Sequence, residues 1–249
     1  MPIARHDVLV VVPTYEEAEN IVPLTAAVLE HGVSVLVVDD NSPDGTGRLA
    51  DEQAAGVERL HVLHRAEKAG LGPAYAAGFR WGLDHGARVM CEMDADFSHD
   101  PAALPNLLAA TEDGADVVIG SRYVPGGGVA NWSWHRRWLS RAGNVYARAL
   151  LGTDVADMTG GYRAFTADAI VRLAPWDCQA SGYGFQVEMA WKASVLGMRI
   201  DEVPITFVDR VRGQSKMSTG IAVEAMLLVT RWGVGRRRGR LPWRSPEGM

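Results

Sequence analysis

Arg88-Val89-Met90-Cys91-Glu92-Met93-Asp94-Ala95-Asp96 reads as an apolar strand that ends in two carboxylates one residue apart. In an open α/β sheet the crevice beyond the carboxyl ends of the strands is where ligands bind. Two acids in such a turn can aim oxygen atoms at a hard divalent cation, and a diphosphate is the natural partner of that ion. Two aspartates ahead of a helix can equally serve as caps, so the dipeptide spacing alone leaves both readings open.

The flanking sequence supports the sheet. Short apolar runs at Val8–Val12, Val33–Val38, Leu60–Leu63, Val89–Met93 and Val117–Ile119 alternate with helical patterns over about Asn20–His31, Thr46–Ala55, Gly72–His85 and Ala102–Glu112. Strands alternating with helices predict an α/β fold with a mostly parallel central sheet flanked by helices. Gly32, Gly56, Gly86 and Gly114 stand where the helical patterns stop, as glycine does at helix ends. This half, to about Gly120, reads as a nucleotide-binding unit.

The other strand ends reinforce the acid turn. The first run ends in Val12-Pro13-Thr14-Tyr15-Glu16-Glu17 and the second in Val37-Val38-Asp39-Asp40-Asn41-Ser42-Pro43-Asp44-Gly45-Thr46. Parallel strands bring both loops to the edge that carries Asp94 and Asp96, so Glu17 and Asp39 join them. That is more acid than capping needs, and a crowded acidic crevice calls for a cation. Read by itself, Asp39 to Thr46 is also a turn of the Asx and Pro-Asp-Gly kind.

The chain has 249 residues, 47% of them hydrophobic, and a net charge of −5. That length suits a single large domain with a well-filled core, here expected over 1–230 with a basic tail over 231–249. The tail carries Arg231, Arg236, Arg237, Arg238, Arg240 and Arg244 against the lone acid Glu247, so the rest of the chain is more acidic than the whole. Cys91 and Cys178 lack the spacing of a zinc site or a disulfide framework. The amino terminus reaches Pro13 too soon for a signal peptide. The longest apolar stretch, Ile221 to Val229, contains Glu224 and is too short for a membrane span. A soluble or peripheral protein is expected.

After Gly120 the texture changes. Gly126-Gly127-Gly128 predicts a flexible connection. An aromatic and basic segment from Trp132 to Arg148 follows, with a helix to about Leu150 on which Arg137, Arg141 and Arg148 share a side. Then come the turn Asp157-Met158-Thr159-Gly160-Gly161-Tyr162-Arg163, a helix near Gln186–Leu196, two short strands around Pro204, and an amphipathic helix over about Ser218–Trp232. Pro204 suits an edge strand because it has no N–H for a ladder.

Four motifs occur in order: Val12 to Glu17, Asp39 to Thr46, Asp94-Ala95-Asp96-Phe97-Ser98-His99, and Gly120-Ser121-Arg122-Tyr123. Together they resemble a family 2 glycosyltransferase of the GT-A fold. Gly126 to Trp132, Asp157 to Arg163, and Phe207-Val208-Asp209-Arg210 through Ser215-Lys216-Met217-Ser218 narrow the resemblance to the polyprenol-phosphate (dolichol-phosphate) mannose synthases, over about residues 7 to 230. The resemblance implies inverting, metal-dependent transfer of mannose from GDP-mannose to a polyprenyl phosphate. It assigns the nucleoside to Pro13, Tyr15, Glu17, Val37 and Asp39, and the ribose and diphosphate to Asp94, Ala95 and Asp96. Asp96 and Asp94 would hold Mg²⁺ or Mn²⁺. Ser98, where relatives can carry Gln, is the weaker third ligand. Arg122, Arg210 and Lys216 would grip the phosphates, with Asp94, Asp96 and Arg122 at the catalytic centre. The resemblance also implies that Arg136, Arg137 and Ser140 would border the acceptor phosphate.

A lipid acceptor implies work at a membrane surface, with the protein expected in the cytoplasm, peripheral on the inner face of the cell membrane. Arg236-Arg237-Arg238-Gly239-Arg240 beside Trp232 and Trp243 combines cations for headgroups with interfacial aromatics. A separate membrane protein could also supply the anchor. The nearest alternative is a UDP-glucose transferase with the same acceptor. An NAD-dependent dehydrogenase fits poorly, because Gly70-Leu71-Gly72 does not open the first βα turn. A nonenzymatic basic-tailed binder leaves the clustered acids unused, and nucleic acid is not an expected partner.

Overall fold

A computed structural model describes residues 3–180, 182, 184–209, 219–238, 241 and 243, with the backbone alone for 219–224. The strands are β1 (Val8–Thr14), β2 (Ser34–Asp39), β3 (Leu60–His64), β4 (Val89–Glu92), β5 (Val117–Ser121), β6 (Gly128–Ala130), β7 (Arg163–Thr166), β8 (Ile200–Pro204) and β9 (Thr206–Val208). The helices are α1 (Ile21–Leu29), α2 (Thr46–Ala54), α3 (Leu71–Asp84), α4 (Leu104–Glu112), α5 (Trp134–Leu151), α6 (Ala167–Leu173), α7 (Gly184–Val195) and α8 (Thr219–Arg237).

Seven strands form the main sheet in the order β3-β2-β1-β4-β7-β5-β8. All pairings in it are parallel except those of β7, which runs antiparallel between β4 and β5. Alternation along each strand separates two apolar layers. Val8, Val10 and Val12 of β1 pack with α1 and α4, whereas Leu9 and Val11 face the layer of α3, α6 and α7. The result is a sheet covered on both faces, which is why its strands read as unbroken apolar runs.

Most predicted elements stand within two residues of their expected bounds. The second half departs further. Gly126 to Gly128 was expected as a flexible connection, but Gly128 begins β6, which pairs in parallel with β9 to make a small second sheet. β7 and α6 had no signal in the apolar pattern. Pro204 does lie on an edge strand, at the end of β8 opposite Ser121. α8 continues five residues beyond Trp232 and takes Arg236 and Arg237 into the helix.

Candidate active site

Register brings the acid loops together. Thr14 at the end of β1 lies level with Asp39 at the end of β2. Glu92 lies level with Val11, so the turn from Asp94 to Asp96 begins at the height of Pro13 and Thr14. Each of the three loops contains a residue other than glycine in the left-handed region: Glu16 (φ 57°), Asn41 (φ 56°) and Phe97 (φ 59°). Such conformations cost energy and persist where the surroundings enforce them, often at functional sites.

Asp39 is buried and tightly held. Its carboxylate accepts from the Thr14 hydroxyl at 3.0 Å, from the Ser42 hydroxyl at 2.5 Å and from the Ser42 N–H at 3.1 Å. Gly47 leaves the room this requires, since a Cβ there would lie 2.7 Å from Asp39 Oδ2. Thr46 ties β2's loop to β1's by accepting from the Glu17 N–H at 2.9 Å, while the Glu17 carboxylate accepts from Asn20. The ammonium of Lys68 sits 3.8 Å from the centroid of the Tyr15 ring. Beside them, Arg65 forms an ion pair with Asp40 at 2.7 Å. Val37 and Ala95, expected at the nucleoside and diphosphate, have their side chains in the core, which leaves only their backbone to face the crevice.

In the acid turn, Asp96 Oδ1 accepts from the Ser98 N–H at 3.0 Å, and both residues are buried. Asp94 keeps 35% of its side chain exposed. Its N–H donates to His99 Nδ1 at 3.1 Å, which leaves the ring proton on Nε2, 3.8 Å from Asp94 Oδ2. Burial lowers the His99 pKa, favouring the neutral ring. The ring stacks on Tyr162 at 5.1 Å and meets Phe207 edge-on. Gly161 passes close by: a Cβ there would come within 3.8 Å of Asp94 Oδ2 and 3.4 Å of His99 Cε1.

Arg122 follows β5 and is buried. Its fork grips Asp157, with Nε donating to Oδ2 at 2.7 Å and Nη2 to Oδ1 at 2.6 Å, and Nη2 also reaches Thr159 Oγ1 at 2.7 Å. Tyr123, Trp132 and Phe207 surround the guanidinium. Burial alone would lower its pKa, but Asp157, with Tyr123 and Asp94 adding to it, holds it above the ordinary value. Gly161, beside Asp94, and Thr159, bonded to Arg122, belong to one turn, which brings the two sites together.

The remaining predicted residues divide. Arg136 pairs with Asp209 at 2.6 Å and lies over Trp132. Arg137 donates to the Val129 carbonyl at 3.3 Å, and Ser140 accepts from the Tyr123 hydroxyl at 2.6 Å. Arg210 and Lys216 lie outside the described residues.

Several residues without an assigned role complete the site. Asn144 on α5 donates to Thr159 at 3.3 Å and accepts from the Met158 N–H at 2.8 Å, so the helix is tied to the turn that orients Arg122. Beneath the acid turn, Arg163 stands opposite Glu92 in the β4–β7 register. It is fully buried and donates to the carbonyls of Gly160, Gln186 and Met158. Burial pushes the Glu92 carboxyl up to about 7. Of these, Arg163 lies in the motif Asp157 to Arg163, whose partners are far away along the chain, whereas no motif pointed to a role for Asn144 or Glu92.

Among the described residues no group of three or more His, Cys, Asp and Glu side chains could hold a metal ion. Two carboxylates and the neighbouring Ser98 hydroxyl in one partly open turn suit an ion whose remaining positions are filled by a phosphate-bearing substrate and water, as Mg²⁺ commonly binds.

The family model for glycosyl transferase family 2 matches residues 9–173. The chain belongs to this family. It is 53% identical over 233 residues to the undecaprenyl-phosphate mannosyltransferase of Micrococcus luteus, covering 92% of this chain and 95% of the relative. It is 51% identical over 237 residues to the polyprenol monophosphomannose synthase of Mycolicibacterium smegmatis, covering 94% and 88% of the two chains. The chain thus falls among the polyprenol-phosphate mannose synthases within the family. Among solved structures, the mannosyltransferase PcManGT from Pyrobaculum calidifontis, in complex with GDP-Man and Mn²⁺, superposes with a TM-score of 0.61 at 22% identity, over 97% of this chain and 67% of that one. S. aureus TarS in complex with UDP-GlcNAc superposes with a TM-score of 0.57 at 18% identity, over 89% and 65%. Both likenesses concern the GT-A fold.

Proposed function

We propose that this glycosyltransferase moves mannose from GDP-mannose to a polyprenyl phosphate with inversion, giving a β-mannosyl phosphate lipid. The observation that carries the reading is the acid turn Asp94 to Asp96 packed beside Gly161 of the turn whose Asp157 and Thr159 hold the buried Arg122, in a chain that shares half its residues with two enzymes named for this acceptor class.

Residues at the ends of β1 and β2 suit the nucleoside, with Asp39 held in place by Thr14 and Ser42. Asp94 and Asp96, with Ser98, would hold Mg²⁺ or Mn²⁺, which when bound offsets charge on the leaving diphosphate. His99 fixes the turn by accepting from the Asp94 N–H. Arg122 is prealigned by Asp157 and Thr159, and its Nη1 makes no hydrogen bond among the described residues, so that nitrogen has donors available for a phosphate oxygen. Arg136 and Ser140, on the first turns of α5, extend this polar wall toward the acceptor.

The reaction is an in-line displacement. An oxygen of the acceptor phosphate forms a bond to the anomeric carbon as the bond from that carbon to the diphosphate breaks, and GDP leaves with the electron pair. A phosphate monoester with a second pKa of about 6 is mostly a dianion at neutral pH, so no strong general base is needed. Positioning and charge stabilisation carry the rate.

The test is incubation with labelled GDP-mannose, a short polyprenyl phosphate and Mg²⁺ or Mn²⁺, followed by extraction of lipid-linked sugar. The expected result is mannose in the lipid fraction, lost on chelation and not competed by UDP-glucose. Transfer from UDP-glucose in preference to GDP-mannose would overturn the donor assignment.

A further inference from the structure

Trp132 is 9% exposed yet belongs to neither apolar layer of the main sheet. Its ring lies against two guanidinium groups instead, with Arg136 Cζ 4.2 Å from the centroid and Arg122 Cζ 5.6 Å. The two cations therefore stand no farther apart than those distances joined end to end, close enough to serve two phosphates that flank one reacting carbon. The tryptophans expected at a membrane interface are used for packing: Trp232 is buried and stacked on Trp191 at 5.9 Å, and Trp243 packs edge-on against Trp191 at 4.7 Å.

The small second sheet delivers this ring. β6 pairs with β9 so that Val129 stands level with Phe207. Asn131, just past β6, takes the left-handed region (φ 61°), a conformation that costs energy in a residue other than glycine, and it carries the chain from β6 to the Ser133 cap of α5. Trp132 then meets Phe207 edge-on at 5.5 Å, and Phe207 in turn lies 5.6 Å from Arg122 Cζ.

The two arginines differ in how firmly they are held. Arg122 is buried, and Asp157 and Thr159 take its Nε and Nη2. Arg136 keeps 32% of its side chain exposed and makes one side-chain hydrogen bond among the described residues, from Nη1 to Asp209 at 2.6 Å. The ring is therefore the second hold on Arg136, at the shorter distance, and only an auxiliary one on Arg122. An indole suits this task, because it presents the best cation-binding face among aromatic side chains and has few rotatable bonds to order.

We propose that Trp132 is a positioning residue for sugar transfer: its ring holds Arg136 in register with Arg122, and so sets the acceptor phosphate in line with the diphosphate that leaves. Displacement at the anomeric carbon needs the two phosphates on opposite sides of it at a fixed span, and a misplacement of about 1 Å can cost about a hundredfold in rate. One rigid ring in contact with both cations fixes that span. This rests on the reading of a polyprenyl phosphate acceptor held at Arg136 and deepens it.

The test is steady-state kinetics on a short polyprenyl phosphate, with calorimetric titration of GDP, for the wild type, Trp132→Leu, Trp132→Phe, Arg136→Ala and Trp132→Leu combined with Arg136→Ala. Trp132→Leu is expected to raise the acceptor KM by about tenfold or more and Trp132→Phe by about threefold, with GDP affinity staying within about threefold in both. Because the ring acts through Arg136, Trp132→Leu should change the acceptor KM by less than about twofold once Arg136→Ala is in place. A residue that merely supports the fold would lower GDP affinity as well and add its full loss in either background. An unchanged acceptor KM in Trp132→Leu, or a loss undiminished by Arg136→Ala, would each overturn the assignment; where Trp132→Leu does not fold, Trp132→Phe with and without Arg136→Ala decides by the same comparison. A wild type that transfers no mannose to polyprenyl phosphate would instead sink the acceptor reading on which the assignment rests.

Discussion

Arg122 and Asp157 are joined by three hydrogen bonds: the Arg122 backbone N–H donates at 3.0 Å, Nε at 2.7 Å and Nη2 at 2.6 Å. Both residues are buried. Thr159 and Asn144 extend the contact to α5, and Glu202 holds the Asp157 turn from below by accepting from the N–H groups of Ala156 and Asp157. The pair fixes a cation at the end of β5 before any substrate arrives, so a phosphate bound there as proposed would meet a guanidinium already ordered.

Asp157→Asn leaves Arg122 without its counter-charge. Removing one partner of a buried ion pair costs about 3–5 kcal/mol, and the near-isosteric amide should hold the loss toward the low end of that range. Denaturant titration reads the stability. Steady-state kinetics should show kcat/KM falling by about tenfold or more as the guanidinium loses its alignment. Wild-type kinetics with lowered stability would make Asp157 a purely structural residue.

The same pair sets an acid limb. Burial would raise the Asp157 carboxyl, but Arg122 overrides it and holds the pKa below the ordinary carboxylate value. The folded state therefore releases this proton more readily than the unfolded state. The contribution is fully present above about pH 4 and drains as the pH falls further through the folded value. Denaturant midpoints taken between neutral and acid pH should show the gap between wild type and Asp157→Asn closing as the pH drops.

Asp96→Ala removes the buried carboxylate of the acid turn. Turnover is expected to fall by at least about a hundredfold, without rescue at saturating Mg²⁺ or Mn²⁺. Calorimetric titration with GDP should lose its dependence on the ion. Undiminished activity at saturating metal would remove Asp96 from the site.

Gly47→Ala tests the crowding behind Asp39. The new methyl group would meet Asp39 Oδ2 at 2.7 Å and His64 Cε1 at 3.0 Å. Overpacking of this kind costs about 1–3 kcal/mol, and displacing Asp39 from Thr14 and Ser42 should weaken nucleotide affinity. Thermal unfolding and a GDP titration measure the two effects separately.

Asn144→Ala strands the buried Met158 N–H, which donates to Asn144 Oδ1 at 2.8 Å. A loss of about 1–3 kcal/mol is expected, read by chemical denaturation. Asn144→Asp should recover most of it, because an oxygen remains for that N–H.

The first half was legible because its strands are buried on both faces and its loops follow directly: a run such as Val8 to Val12 announces a central strand without knowledge of its neighbours. Parallel pairing then places Asp39 beside Thr14, and the acid turn at the same edge. Local chemistry along the chain was enough to place Asp94 and Asp96 at that edge. Nothing local could pair Arg122 with Asp157, set Glu92 opposite Arg163, or insert β7 between β4 and β5. β7 has only four residues, and it is made a strand by neighbours that supply its ladder on both sides. The tryptophans make the same point. Sequence shows eight of them, but which face water is settled by how α5 and α8 lie on the core: Trp232 turns inward while Trp134 and Trp138 turn out. Residue types and spacing determined the sheet and its acidic edge; which distant groups neutralise one another, and which apolar surface remains uncovered, depended on the packing of elements that are remote in sequence.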